Sequence, residues 1–202
     1  RHRPVAAEDR PSASRVNPGP MDGPALIALL QQAAPGATVE SAPSIDLHTA
    51  VYVSRDHVLD VARVLRDAAN LRFTFLAELT AVDVWPREPR YEVVYVLVSI
   101  EHRLRLRMKV RLHGADAHVA TVSGIWPAAN WLEREVWDLF GIVFDGHPDP
   151  RRLLMPEDWE GFPLRKDSPV QIRRPPHVAE ALQVTEEEFA ANVERDRLTR
   201  RG

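Results

Sequence analysis

The chain has 202 residues, of which 45% are hydrophobic and 27% charged, and its 26 basic and 29 acidic residues give a formal net charge of −3. These proportions fit one globular domain with tails, and they supply no overall field to hold a polyanion or an anionic membrane. With no cysteine, the chain has no disulfide, thiol nucleophile or thiolate-held metal or iron–sulfur centre of its own. Its longest strongly apolar run, residues 93–100, falls well short of the roughly 20 residues that span a bilayer.

Residues 1–21 are rich in Arg and Pro and nearly devoid of large apolar side chains, which predicts a flexible tail. It has no apolar signal-peptide core, and Met21 is a candidate start of the chain. From Asp22, a candidate N-cap, Leu26, Ile27, Leu29 and Leu30 predict a helix that Pro35-Gly36 ends. Val51–Val53 reads as a short strand. A second helix is expected over Ser54–Ala69, capped by Ser54, with Val58, Val61, Ala62, Leu65 and Ala69 on its apolar face.

Residues 91–112 predict a β-hairpin. Tyr91–Ile100 is apolar on both faces apart from Glu92 and Ser99, as a central strand would be, whereas Arg103–Leu112 alternates strictly. In that second strand Leu104, Leu106, Met108, Val110 and Leu112 share one face, and Arg103, Arg105, Arg107, Lys109 and Arg111 the other. Five like charges with Glu92 as the one acid on the paired strand suggest incomplete neutralisation. A third helix is expected over Asn130–Phe140, with Gly141 just past its C-terminus. Beyond it, Pro and Gly forbid long regular elements while Phe144, Leu153, Leu154, Met155, Trp159, Phe162 and Leu164 keep the chain apolar. Such a segment lies across a surface, its own or a partner's.

The predicted fold is therefore α+β, a small mainly antiparallel sheet with helices packed on one face, followed by an extended irregular C-terminal arm. The boundaries are a flexible tail over 1–21, an α+β domain over 22–145, a partner-docking arm over 146–174 and a C-terminal tail over 175–202. In that tail Thr185-Glu-Glu-Glu188 resembles a capping box opening a short charged helix.

Few of the usual chemistries have an anchor. Gly141 and Gly146 flank a stretch without the lysine or third glycine of a phosphate loop, no G-x-S-x-G elbow presents a nucleophile, and the eight His residues are scattered without a metal-binding spacing. Glu133, Glu135 and Asp138 could serve acid–base chemistry, but on a helix surface solvation or an Arg134–Asp138 pair is the commoner arrangement. A nucleic-acid-binding module is the different-class alternative. It rests on the basic strand, which lacks the interleaved aromatics that stack bases.

The stretch NWLEREVWDLFGIVFDGHPDPRRLLMPEDWEGFPLRKD, residues 130–167, resembles the signature of the 30 kDa subunit family, the C-type subunits of proton-pumping NADH:quinone oxidoreductase, respiratory complex I. The elements that carry the resemblance are ERE at Glu133–Glu135, D-x-x-G-I-x-F from Asp138 to Phe144, GHP at Gly146–Pro148, Arg151-Arg152, MPEDWEG at Met155–Gly161 and PLRKD at Pro163–Asp167. Pro150 and Ser168 depart from the family's pattern. The resemblance implies a subunit without catalytic, cofactor or metal site of its own. NADH, FMN, iron–sulfur clusters and quinone would belong to other subunits. The expected partners are the quinone-site subunit of the 49 kDa type and the terminal iron–sulfur subunits of the peripheral arm, on the cytoplasmic side of the bacterial inner membrane. By the same resemblance Glu133, Arg134, Glu135, Asp138, Phe144, His147, Pro148, Arg151, Arg152, Arg165, Lys166 and Asp167 are the candidate partner-docking residues. Homologous subunits of membrane-bound hydrogenases, F420H2 dehydrogenases and the photosynthetic ferredoxin-plastoquinone oxidoreductase are the alternative.

Overall fold

A computed structural model describes residues 22–46, 48–168, 185, 187–191 and 193. The strictly alternating stretch forms the centre of the sheet. Met108, Val110 and their alternate neighbours Leu106 and Leu112 are buried, as period-two geometry demands. Strands β1 (Val39–Ser41), β2 (Thr49–Val53), β3 (Phe75–Asp83), β4 (Tyr91–Ser99) and β5 (Leu104–Leu112) lie in the order β1-β2-β5-β4-β3. All neighbours pair antiparallel except β2 with β5. A separate parallel pair joins β6 (His118–Ala120) to β7 (Val143–Asp145).

Helices α1 (Gly23–Ala33), α2 (Val58–Asp67) and α3 (Ala129–Phe140) enclose one core with the sheet. Leu26 and Leu30, Val58, Val61, Ala62 and Leu65, and Val136 and Phe140 meet Val51, Leu79, Tyr91, Tyr95 and Met108 there. The α+β expectation, with a mainly antiparallel sheet and packed helices, holds.

Several local expectations change. Asp22 stands at the N-cap of α1 without a side-chain capping bond. Ser54 does not cap α2: its hydroxyl accepts the Thr38 N–H and faces His57, and a single 3₁₀ turn, Arg55–His57, separates it from the helix. Ile100 lies outside β4 in the exposed turn of the hairpin. Arg103 occupies that turn with φ of 54°, so the basic row begins at Arg105. That row is also better neutralised than Glu92 alone would allow. Asp46, from the loop before β2, pairs with Arg107, while Glu92 accepts both Lys109 at 3.4 Å and the Tyr52 hydroxyl at 2.7 Å. Arg111 stacks 3.4 Å over the centre of the Tyr52 ring. β3 has a register shift between Leu76 and Glu78, which interrupts the alternation by which a strand is read.

After β7 the described chain runs to Ser168 without helix or strand. A second unit begins at Pro169. Within it residues 187–191 and 193 are helical. Thr185 N–H donates to Glu188 and Glu188 N–H to the Thr185 hydroxyl, the reciprocal bonds of a capping box. The expected tail over 1–21, with Met21, and the remainder of 169–202 lie outside the described residues.

Candidate functional site: the junction of helix α3 and the arm

The arm needs hydrogen-bond partners because it has no ladder of its own, and buried backbone groups are costly when unpaired. α3 supplies them. Arg134 and Asp138, four residues apart, share the helix face turned to the arm, but they do not pair with each other as the spacing suggests. Asp138 is fully buried, and one of its oxygens accepts the N–H groups of Leu153, Leu154 and Met155 at 3.0, 2.7 and 2.8 Å. Its other oxygen takes the Arg152 guanidinium at 2.6 Å. Burial alone would raise the Asp138 carboxyl. The Met155 N–H, the Arg152 charge and the other two amides outweigh it and hold the group below its ordinary value.

Arg134 reaches the opposite side of the same loop and donates to the carbonyls of Arg151 and Arg152, both at 3.0 Å. It also stacks 5.0 Å from the Trp131 ring centre. Arg152 continues outward to the Trp159 carbonyl at 2.9 Å. Arg151 is exposed and grips Asp149 with two bonds of 2.6 and 2.7 Å.

A second attachment lies at the end of α3. Gly141 terminates the helix in the left-handed region, φ 73°, as Gly past a helix end does. Any side chain there would overlap Arg165 and Phe162. Arg165 donates to the Phe140 carbonyl at 2.5 Å, and the Leu164 N–H to the Leu139 carbonyl at 3.1 Å.

A third attachment is Arg90, just before β4. It holds Asp83 with bonds of 3.1 and 2.8 Å and Asp167 with bonds of 3.0 and 2.6 Å. The Lys166 N–H adds a bond to Asp83 at 2.9 Å. Burial pushes the Asp83 carboxyl up, but Arg90 and the Lys166 and Trp85 amides prevail and hold it at about 2. Asp83 and Arg90 carry no mark in the signature. With the bulge obscuring β3, only a lone Asp at the end of an apolar stretch hints at them.

The remaining candidates divide. Glu133 is buried and accepts the Val122 N–H at 2.7 Å and the Thr121 hydroxyl. His147 donates from Nε2 to the Asn130 carbonyl at 3.0 Å and accepts the Asp149 N–H at Nδ1, also at 3.0 Å, so it fixes the turn from β7 into the arm. Phe144 is buried in the core. Pro148 is exposed. Neither Glu135 nor the Lys166 side chain has a hydrogen bond or ion pair among the described residues. Around the junction Trp131, Leu154 and Leu164 are between about half and two thirds exposed.

The family model of the respiratory-chain NADH dehydrogenase 30 Kd subunit matches residues 51–174. The C-type subunit of NADH-quinone oxidoreductase from Roseiflexus sp. strain RS-1 is 47% identical over 150 residues, covering 74% of this chain and 86% of the relative. A C-type subunit of the same enzyme from Rhizobium meliloti strain 1021 is 41% identical over 160 residues, 78% of this chain and 87% of the relative. Among solved structures, a chain of the archaeal membrane-bound sulfane sulfur reductase, a respiratory membrane complex, matches with a TM-score of 0.60 and 30% identity over 73% of this chain and 86% of that one. The family match spans β2 to the arm, the hairpin and α3 included, and on it the chain belongs to the 30 Kd subunit family of respiratory-chain NADH dehydrogenase.

Proposed function

We propose that the chain is the 30 kDa-type subunit of an NADH:quinone oxidoreductase, a cofactor-free structural member of the peripheral arm on the cytoplasmic face of the membrane. It supports electron transfer to quinone, and thereby proton translocation, by holding the quinone-site and terminal iron–sulfur subunits. The observation that carries this reading is the division of labour at the junction. The buried charges of the signature fasten the arm to its own domain, while Leu154 and Leu164 of the arm and Trp131 of α3 beside it remain exposed. An arm already held in shape loses less entropy on docking than a free one, and exposed aromatic and aliphatic anchors are what an interface core is built from. Glu135, Lys166 and Arg151 supply charges at its rim.

Tagging the chain in its own cell and extracting membranes with mild detergent tests the reading. The expected product is a large complex with iron–sulfur absorbance and NADH:quinone activity, and a lone chain would contradict it. Trp131→Ala with Leu154→Ser should reduce recovery of that complex while leaving the thermal unfolding of the purified chain within a few degrees of wild type. The similarity to the sulfane sulfur reductase chain favours a second reading, a homologous subunit of a related respiratory complex. A complex that lacks an NADH-oxidising flavoprotein and uses another electron donor or acceptor would select it.

A further inference from the structure

Glu133 has no Arg or Lys paired with it among the described residues. Burial raises its carboxyl, the Thr121 hydroxyl and Val122 amide lower it in part, and the balance stands at about 7. Its surroundings are polar but uncharged. From β4 it feels Tyr95, whose buried hydroxyl has no hydrogen-bond partner. Thr121 faces it from the segment between β6 and α3, with the Ser123 hydroxyl bonded to Thr121 in turn, and His147 from the root of the arm, with Nε2 at 3.9 Å from the carboxyl.

The hydrogen bonds accommodate both protonation states. The Thr121 hydroxyl touches the Glu133 carboxyl on one side and the Ser123 hydroxyl, at 2.8 Å, on the other. With Glu133 neutral, its O–H donates to Thr121 and Thr121 donates to Ser123. With Glu133 ionised, Thr121 donates to the carboxylate and Ser123 turns its hydrogen to Thr121. His147 sits between Asn130 and Asp149, its Nε2 donating to the Asn130 carbonyl and its Nδ1 accepting the Asp149 N–H.

We propose that Glu133 and His147 form a proton-linked latch at the root of the arm. Uptake of one proton by the Glu133 carboxyl keeps the imidazole seated on the Asn130 carbonyl and the Asp149 amide. Release of that proton to solvent draws the Nε2 hydrogen toward the carboxylate and loosens the turn that starts the arm. A buried carboxylate without a cation is the costly state, so the neighbouring donor hydrogen is the group that responds to it.

The test follows the Glu133 carboxyl carbon by NMR in the full, isotopically labelled chain from about pH 4 to about pH 9, with the Asp149 amide observed in the same samples. The latch predicts a Glu133 midpoint at or above about pH 6 and an Asp149 shift with the same midpoint. A Glu133 midpoint below that pH, or an Asp149 amide that titrates apart from it, overturns the proposal. In E133Q the Asp149 transition should disappear, and its persistence would assign the titration to another group. If E133Q does not fold, the two wild-type midpoints decide alone.

Discussion

Strand β5 and the junction of α3 with the arm are both dense in charge, yet they use it differently. Along β5 the cations make isolated contacts with side chains on a half-open sheet face: Arg107 with Asp46, Lys109 with Glu92 and the Tyr52 ring, Arg111 with the Tyr52 ring. At the junction one carboxylate, Asp138, fully out of solvent, gathers three backbone amides and a guanidinium. Exposed pairs contribute about 0 to 1 kcal/mol, whereas removing one partner of a buried, hydrogen-bonded pair costs about 3 to 5 kcal/mol. The number of charges in a stretch therefore says little about what they hold. The number of buried backbone groups that depend on them says much more.

The sharpest way to break this contrast is Asp138→Ala, which strands the amides of Leu153, Leu154 and Met155 together with the Arg152 guanidinium. Chemical denaturation should show a loss of about 3 to 5 kcal/mol, and limited proteolysis should cut first within residues 149–161.

Glu133 gives the next largest effect, and its sign is opposite to that of most carboxylates. Its folded value of about 7 lies above its ordinary 4.5. Its contribution to stability is therefore fully present below about pH 4.5 and is lost as the pH rises through about 7, in total roughly 3 kcal/mol. Asp83 and Asp138, held low, act in the other direction, with stability lost only as the pH falls from their ordinary 3.8 through their folded values. Between about pH 5 and 8 the denaturation midpoint of the wild type should fall, and that of Glu133→Gln should stay nearly level.

Gly141→Ala comes third. A left-handed residue with a side chain costs about 1 to 2 kcal/mol, and the contact with Arg165 and Phe162 adds to it. Calorimetry should show the loss, and hydrogen exchange should show the Leu164 amide freed from the Leu139 carbonyl. The smallest effect belongs to the strand: Arg105→Gln with Arg107→Gln should change stability by no more than about 1 kcal/mol, less at high salt.

The two regions also differ in how legible they are in the sequence. β5 can be read residue by residue because its alternation reports burial directly, and α3 follows from its period and from Gly141. β3 cannot, since its bulge and its small residues at Ala77 and Ala81 hide the period. The junction is visible as a motif, but the motif does not say what its charges touch. Arg134 and Asp138 suggest a helix-surface pair at four-residue spacing, yet both serve main-chain groups fifteen or more residues away. Asp83 and Arg90 join the site only through the hairpin that carries them to Lys166 and Asp167, a contact between segments about eighty residues apart. Nothing local in either segment encodes it.

The bonds from Asp138 fasten the arm to its own domain before any partner meets it. Native-state hydrogen exchange at Leu153, Leu154 and Met155 in the purified chain tests this most directly, since all three amides lie in a segment without helix or strand and owe their bonds to Asp138 alone. Slow exchange, with protection lost in Asp138→Ala, is the predicted result. Exchange at the rate of an unstructured peptide in the wild-type chain would mean that the arm takes its shape only from a partner, and would contradict the account.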